Sequence, residues 1–343
     1  MGYACCVLTF LFMAGCRGSE GASSPHAEPW RAATDVERFE CIAPCMGMQA
    51  RIVLFAEDRP KAKAAGDAAI AEMQRIDRLL SDYREDSETA AVNRAAGGEP
   101  VTVSADFLRV LRRALYVSRL SGGAFDVTIG PVTRLWRAAR DSGKRPSPSE
   151  IDAAHALVNW RDVRFDPKRS TVQLLRADMR LDFGGIGKGF ACDLALAKLK
   201  EHGITRALVS IAGDIRIGTA PPQATGWRIA IHDGIAENES VLTLSECAVS
   251  TSGDAEQALI LDGQRHSHII APREGLGSGE RIGATVIASD ATTADALATA
   301  ITLMPEKDAL ALIESIDGAA ARIARGEPEH IAITSRFPAP ASD

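Results

Sequence analysis

Residues 181–189 read Leu-Asp-Phe-Gly-Gly-Ile-Gly-Lys-Gly and place four glycines and one lysine between a strand-like segment and a predicted helix. A glycine turn lets backbone N–H groups approach a ligand phosphate, and the helix dipole and Lys188 add positive potential. The segment is not a Walker A loop, because Asp182 and Gly189 occupy positions that require Gly and Ser or Thr. A tight strand-to-helix turn without a ligand would need the same small residues, so both interpretations stay open at this point.

Asp295 and Thr299 stand four residues apart in a second stretch, Thr-Ala-Asp-Ala-Leu-Ala-Thr. Residues at this spacing share one face of a helix. A carboxylate and a hydroxyl suit a hard cation, and Mg2+ usually completes its coordination with substrate phosphates and water. The pair therefore fits a metal that bridges a pyrophosphate, although it also fits a solvated edge of an alanine-rich helix.

Two further stretches contain candidate ligand-binding groups. Closely spaced glycines before Phe125 indicate a constrained loop whose backbone, together with Asp126, could recognise the edge of a ring. His268 ends an apolar segment ahead of Pro272 and is a candidate general base. A hydrogen-bonded structural histidine would produce the same pattern.

Apolar periodicity predicts the elements that must position these groups, and they form a mixed α+β chain. A strand is expected around residues 50–54, followed by a helix whose apolar face includes Met73 and Ile76. Ser104 is a predicted N-cap, and Ser147 with Glu150 predicts a capping box. Further helices are expected at about 188–202, 292–303 and 306–316, and strands at 208–211, 227–231 and 284–287.

The composition of the 343 residues, 46% hydrophobic and 24% charged, is that of a globular protein with one large or two modest domains. The formal net charge of -6 argues against a nucleic-acid partner, because binding a phosphate backbone normally needs a concentrated basic face. Four cysteines follow residue 16, of which Cys41 and Cys45 could form one disulfide bridge. Cys192 and Cys247 lie in apolar contexts typical of inert thiols.

The first sixteen residues form an almost uncharged apolar run that is too short to span a bilayer and predicts an export signal. The run ends in Met-Ala-Gly-Cys, which resembles a bacterial lipobox with Cys16 as the acylated residue; an ordinary cleaved signal is the alternative. We therefore expect a lipid anchor on the periplasmic side of a bacterial membrane. The predicted organisation is a signal at 1–16, a flexible tether at 17–38, a folded body at 39–336 and a frayed tail at 337–343.

The motifs, taken in order from about Met46 to Met304, resemble the ApbE family of FAD:protein FMN transferases. The glycine-lysine segment is similar to the family's "DlGGiaKG", and the aspartate-threonine pair is similar to its "ADalaT". The other similar stretches are 46–47, 80–84 with Ser87 and Asn93, 123–136, 213–214, 251–253 and 268–273.

The resemblance implies an α+β fold with mixed sheets and flanking helices, an ApbE-like and T-fold-like architecture in which FAD lies in a cleft. It implies that Tyr83 packs on the flavin, that His268 takes the proton of the acceptor hydroxyl, and that Asp295 and Lys188 act with it in catalysis. The implied metal is Mg2+, held by Gly185, Asp295 and Thr299. The implied FAD-lining residues are Met46, Tyr83, Ala124, Phe125, Asp126, Asp182, Lys188 and Ile269.

The implied reaction moves FMN from FAD to a Thr or Ser hydroxyl of an exported subunit of a membrane redox complex and releases AMP. Two alternatives are FAD hydrolysis to FMN and AMP, and a non-catalytic FAD-binding lipoprotein. Three residues depart from the family pattern: Met48 replaces a frequent threonine, Ala212 replaces the first glycine of "GGD", and Ala271 replaces an aspartate beside the histidine. If that aspartate orients the histidine, we expect transfer to be slow.

Overall fold

The structure is a computed structural model that describes residues 36–232, 240–253, 259–261, 264–277, 280–326 and 330–341. Its centre is an eight-stranded sheet in which every neighbouring pair of strands is antiparallel. In spatial order the strands are β1 (Glu37–Cys45), β2 (Met48–Ala56), β6 (Ala207–Ile211), β7 (Asp214–Ile217), β10 (Ala248–Gly253), β15 (Ile282–Ala288), β16 (Ala320–Arg325) and β17 (His330–Ile333).

Smaller sheets and eight helices in the described ranges surround this sheet. The remaining strands are β3 (Val101–Thr102), β4 (Val163–Asp166), β5 (Thr171–Leu174), β8 (Trp227–Ile231), β9 (Ser240–Leu244), β11 (Leu259–Leu261), β12 (Gln264–His266), β13 (Ile270–Ala271) and β14 (Leu276–Gly277). The helices are α1 (Arg59–Leu80), α2 (Glu88–Arg94), α3 (Ala105–Leu120), α4 (Gly130–Ser142), α5 (Pro148–His155), α6 (Gly187–Glu201), α7 (Ala291–Thr302) and α8 (Glu306–Glu314).

Period-2 patterning of the strands produces two apolar layers on opposite faces of the main sheet. Ile52 and Leu54 of β2 belong to the large core that includes α1, α6 and α7. Val53 points the other way and packs with Trp227 and Ile229 of the β8–β9 hairpin. Helices therefore cover one face of the sheet and the hairpin covers the other.

The helices begin and end close to the predicted positions. Ser104 caps α3 by accepting a hydrogen bond from the Phe107 N–H, and Ser147 and Glu150 form the predicted capping box of α5. The predicted apolar face of α1 is buried throughout, from Ala62 to Leu80. The α+β expectation is confirmed, with mixed sheets and flanking helices.

The predicted disulfide between Cys41 and Cys45 is wrong, because both cysteines are free. They lie in the same strand, β1, and four residues of extended chain separate Cα atoms by about 13 Å, far beyond the reach of a disulfide. Burial raises the pKa of Cys192 and of Cys247, as expected for inert thiols.

The structure describes most of the C-terminal tail, but it does not describe the N-terminal residues 1–35. Part of the tail expected to fray is held in place, since the Phe337 N–H donates to the Thr334 carbonyl oxygen and the Ala341 N–H donates to the Val241 carbonyl oxygen. The predicted signal, the lipobox cysteine Cys16 and most of the tether lie outside the described residues. No helix in the described part of the chain is both long and apolar enough to cross a membrane.

Candidate functional site

The glycine-lysine turn and the aspartate-threonine helix meet at the contact between α6 and α7. The Gly189 N–H donates to Asp295 Oδ2 at 3.0 Å. A Cβ atom on Gly189 would lie 2.1 Å from the Ala291 carbonyl oxygen, so this approach of two helix backbones requires glycine. Two segments that are more than one hundred residues apart in the chain thus form one site.

Carboxylates from two elements fix the start of α7. Asp193 of α6 accepts hydrogen bonds from the Ala291 N–H and the Thr292 N–H, both at 2.9 Å, and Asp290 caps the helix through the Thr293 N–H at 2.8 Å. These bonds satisfy the N–H groups that the first turn of a helix leaves free. The orientation of α7, and with it that of Asp295, is therefore set by α6.

Two buried carboxylates share one lysine at this contact. Lys188 Nζ lies 3.0 Å from Asp214 Oδ2 and 3.6 Å from Asp295 Oδ1, and it donates to the Gly184 carbonyl oxygen at 3.3 Å. Asp295 is 1% exposed and Asp214 is 3% exposed. The Ser250 hydroxyl donates to the other oxygen of Asp214. The lysine is therefore held by acidic side chains of α7 and β7.

The electrostatics of this group leave room for a second cation. Burial and, after it, the Asp214 carboxylate raise the pKa of Asp295 to about 7, because Lys188 and the Gly189 N–H oppose them only partly. Burial lowers the pKa of Lys188, but Asp214 and Asp295 outweigh it and hold this pKa above its usual range. The group thus holds two carboxyl groups and one ammonium group in a poorly solvated place, and a second cation there would favour the ionised form of Asp295.

The oxygen atoms near Asp295 fit Mg2+. A Cβ atom on Gly185 would lie 3.0 Å from Thr299 Oγ1, so the Gly185 backbone and this hydroxyl are neighbours, one helical turn from Asp295. Ser252 Oγ lies 3.3 Å from Thr299 Oγ1. Within the described ranges no group of three or more His, Cys, Asp or Glu side chains is arranged to hold a metal ion. A sparse set of carboxylate, hydroxyl and carbonyl oxygens suits an ion that takes its remaining ligands from phosphates and water.

Asp182 shapes the glycine turn and orients an arginine. Its Oδ1 accepts the Gly184 N–H at 2.7 Å, and its Oδ2 accepts the Thr133 hydroxyl at 2.7 Å and Arg137 Nη2 at 3.0 Å. The carboxylate predicted to line the FAD site is thus occupied by three donors of the chain itself.

Arg137 and Asp82 were missed by the sequence reasoning and lie next to the predicted flavin-stacking residue. The Arg137 guanidinium is 4.4 Å from the centre of the Tyr83 ring and pairs with Asp82. Tyr83 is 76% exposed, so one aromatic face remains accessible beside this cation. Met46, another predicted FAD residue, lies in the β1–β2 turn with its N–H donating to Asp77 Oδ2 at 3.0 Å.

The loop before α4 is constrained, as its glycines predict. Ala124 and Phe125 are buried, and a Cβ atom on Gly185 would lie 3.2 Å from the Phe125 ring, so the loop touches the glycine turn. Asp126 accepts bonds from the Thr128 N–H at 2.9 Å and the Trp160 N–H at 3.0 Å. Burial raises the pKa of Asp126, although these bonds oppose it.

A cavity of about 240 Å³ lies beside this loop, lined by Gly123, Asp126, Trp160 and Arg273 among others. Trp160 Nε1 is buried and has no hydrogen-bond partner among the residues described. An unpaired buried N–H group is costly in free energy, so this part of the cavity wall is less well satisfied than its surroundings.

Residues 264–277, called here the histidine segment, are attached to α4 and to the loop before it. Trp136 Nε1 donates to the Gly275 carbonyl oxygen at 2.8 Å, and Arg273 Nη2 donates to the Gly122 carbonyl oxygen at 3.1 Å. His268 is exposed in the bend before β13, and Ile269 is partly buried. Both residues lie in the histidine segment. The group of Lys188, Gly189, Asp193, Asp214 and Asp295, joined by the bonds described above, is called here the α6–α7 cluster.

A sequence profile of the ApbE family matches residues 46–323. The chain belongs to the ApbE family. A FAD:protein FMN transferase of Treponema pallidum (strain Nichols) is 32% identical to this ApbE chain over 292 residues, which cover 80% of each protein. A protein of the same name from Vibrio cholerae serotype O1 is 32% identical over 253 residues, 70% of this chain and 75% of the relative.

Solved structures of other ApbE proteins have the same architecture as this chain. The ApbE protein from Thermotoga maritima superposes with a TM-score of 0.80 at 30% identity and covers 88% of this chain and 98% of its own. The flavin transferase ApbE from Vibrio cholerae superposes with a TM-score of 0.77 at 26% identity, with the same coverage.

Proposed function

We propose that this ApbE protein transfers FMN from FAD to a Thr or Ser hydroxyl of an acceptor protein and releases AMP. Family membership and the relatives named FAD:protein FMN transferase support this proposal. The observation that carries it is the hydrogen bond between the glycine turn and α7, from the Gly189 N–H to Asp295. That contact creates a buried acidic site beside a phosphate-binding type of turn.

In the proposed step the acceptor oxygen forms a bond to the FMN phosphorus, and the bond from that phosphorus to the AMP oxygen breaks. The bonding electrons leave with AMP, and the acceptor proton passes to a base, for which His268 is our candidate. Such a displacement depends on alignment and on stabilisation of charge at the pyrophosphate.

The proposed roles follow from the contacts of each side chain. Gly185, Asp295 and Thr299 would hold Mg2+, which when bound neutralises charge on the pyrophosphate. Lys188, held by Asp214, keeps a positive charge next to the turn. Tyr83 offers an exposed ring to the flavin. The remaining proposed FAD contacts are Met46, Ala124, Phe125, Asp126, Asp182 and Ile269.

The test is to incubate the protein with FAD, Mg2+ and an exported redox subunit, and to weigh that subunit by mass spectrometry. We expect a gain equal to one esterified FMN, lost with EDTA and with Asp295→Asn. Asp308→Asn, which changes an exposed carboxylate of α8, is the matched control and should retain transfer. Release of free FMN with no labelled subunit would mean hydrolysis, and intact FAD bound one to one would mean a non-catalytic binder.

We also propose that Cys16 carries lipid, so that the folded body faces the periplasm from a membrane anchor. The Met-Ala-Gly-Cys sequence supports this proposal. Labelled palmitate should be incorporated in a bacterial host and should be lost in Cys16→Ala. Incorporation that survives this substitution would rule out the lipobox.

A further inference from the structure

A cleft of about 430 Å³ lies outside the residues proposed to bind FAD or metal. It opens between the end of α2, the start of α4, the end of α5 and residues 177–180. Its lining includes three arginines, Arg94, Arg134 and Arg180, and a single carboxylate, Asp178. The cleft is therefore basic in a protein whose formal net charge is -6.

The guanidinium groups of this cleft are only partly balanced by acidic groups of the described residues. The side chains of Arg134 and Arg180 form no hydrogen bond or ion pair with any residue in the described ranges, whereas the side chain of Arg137, one turn further along α4, pairs with two aspartates. Burial lowers the pKa of Arg180, and the neighbouring Arg134 and Arg137 lower it further, while Asp82 only partly opposes them. Arg94 uses one Nη1 bond, at 2.8 Å, to the Glu85 carbonyl oxygen. An anion in the cleft would relieve this crowding of like charge.

The shape of the lining indicates what kind of anion fits. Guanidinium groups bind carboxylates through paired hydrogen bonds. Pro131, Leu157 and several alanines form the rest of the wall. These apolar groups would contact methylene and methyl groups, which a peptide has and an inorganic ion lacks. A short peptide segment with Asp or Glu side chains matches both kinds of surface.

The cleft is rigidly joined to the proposed FAD site. Asn93 accepts the Leu181 N–H at 2.7 Å and donates to the Leu181 carbonyl oxygen at 3.1 Å, and residue 182 follows at once with its bonds to Arg137 and Gly184. A Cβ atom on Gly130 would lie 2.7 Å from the Arg180 carbonyl oxygen, so the start of α4 and the segment before Leu181 are in close contact. A segment bound in the cleft would thus lie at a fixed position relative to Asp182.

We propose that the cleft formed by Arg94, Arg134 and Arg180 binds an acidic segment of the acceptor protein and docks it beside the FAD site. The identity of the partner rests on the proposed transferase function. The binding of an acidic peptide by these arginines is independent of the proposed transferase function.

Two measurements on the full chain test the proposal. The first is the fluorescence anisotropy of a labelled peptide of alternating Glu and Ala, without FAD. The second is the dependence of FMN transfer on acceptor concentration. In the double variant Arg134→Gln with Arg180→Gln we expect the peptide Kd and the acceptor KM to rise about tenfold or more, because two charge-assisted contacts are lost. The KM for FAD and kcat at saturating acceptor should not change.

Arg112→Gln is the matched control, since Arg112 is an exposed arginine of α3 outside the cleft and should leave both values unchanged. Arg134→Gln alone, a change at an exposed position, provides a second variant if the double variant fails to fold. An unchanged peptide Kd and acceptor KM in the folded variants would overturn the proposal. Displacement of the peptide by an equal charge of inorganic phosphate would overturn it as well, since the cleft would then be a general anion site.

If the wild type transfers no FMN, the proposed function fails. The peptide titration still decides whether the cleft binds acidic segments.

Discussion

The α6–α7 cluster and the histidine segment are the two halves of the candidate site, and they are built in different ways. In the cluster, backbones touch at Gly189, and the carboxylates of Asp193 and Asp295 bridge the two helices. Trp136 and Arg273 donate hydrogen bonds that join the histidine segment to the rest of the site. Ile270 and Leu276 of the segment also pack in the apolar cluster around Trp136. The first half depends on a close approach of two backbones that leaves no space for a side chain at Gly189, and the second depends on separate side-chain contacts.

This difference indicates which half of the site tolerates amino-acid substitutions. A close-packed interior transmits any added volume, because it has no free space to absorb it. A surface segment held by several separate side-chain contacts can lose one of them and remain folded. The proposed metal-binding half should therefore respond to substitution in an all-or-none manner, and the histidine half should respond in steps.

The largest effect is expected from Gly189→Ala. The added methyl group would lie 2.1 Å from the Ala291 carbonyl oxygen, so α6 and α7 must separate, at a cost of about 3 kcal/mol or more in the free energy of unfolding. Transfer should be lost with it. Urea denaturation and the mass-spectrometric transfer assay measure the two effects.

Gly187→Ala in the same helix is the control, because a Cβ atom there meets its nearest neighbour, a methyl group of Leu80, at 3.6 Å. We expect it to change stability by no more than about 1 kcal/mol, towards greater stability. Equal damage from both substitutions would mean that the contact of the helices at Gly189 is not what makes this half rigid.

A smaller effect is expected from Trp136→Phe in the histidine half. The substitution removes the hydrogen bond to the Gly275 carbonyl oxygen and should cost about 1–3 kcal/mol. If His268 is the base, kcat for transfer should fall while the KM for FAD stays near that of the wild type. An unaltered kcat in a folded variant would show that this attachment does not position the base.

The sequence allowed much of the fold and part of the site to be predicted. Local signals were sufficient for the caps at Ser104 and Ser147, because capping involves residues three apart. The contacts of Asp193 and Asp214 could not be predicted, since their partners are set by tertiary packing; Asp193 lies 98 residues before Ala291. Lys188 was expected to face a phosphate, and its pairing with Asp214 depends on how β7 packs against α6.

Ala212→Gly is expected to have a still smaller effect, in the stabilising direction. Ala212 adopts a φ of 51° in the turn before β7, where the family pattern has glycine. Glycine adopts this conformation without the steric cost of a Cβ atom, so we expect a gain of about 1 kcal/mol in the free energy of unfolding. Thermal denaturation measures it. Destabilisation instead would mean that the alanine methyl group packs favourably beside Asp214.

The smallest effect is expected from Asp126→Asn, which should change how the free energy of unfolding depends on pH. Burial raises the pKa of Asp126, and the hydrogen bonds that this carboxylate accepts oppose the shift, so we expect the effect to be small. A raised pKa in the folded protein means that the wild type binds this proton more tightly than the unfolded chain does. Its contribution to stability is therefore present at low pH and is lost as the pH rises through the folded pKa. The variant has no such proton to lose. Between pH 4 and pH 7 its free energy of unfolding should rise relative to that of the wild type, as measured by urea titrations of the ligand-free protein.

The control is Asp152→Asn, at an exposed position of α5, whose free energy of unfolding should follow the same pH dependence as that of the wild type. If Asp126→Asn shows the pH dependence of the wild type as well, the Asp126 carboxylate is as well stabilised as an exposed one. The loop next to the histidine segment would then hold no destabilised buried carboxylate comparable to Asp295 of the α6–α7 cluster.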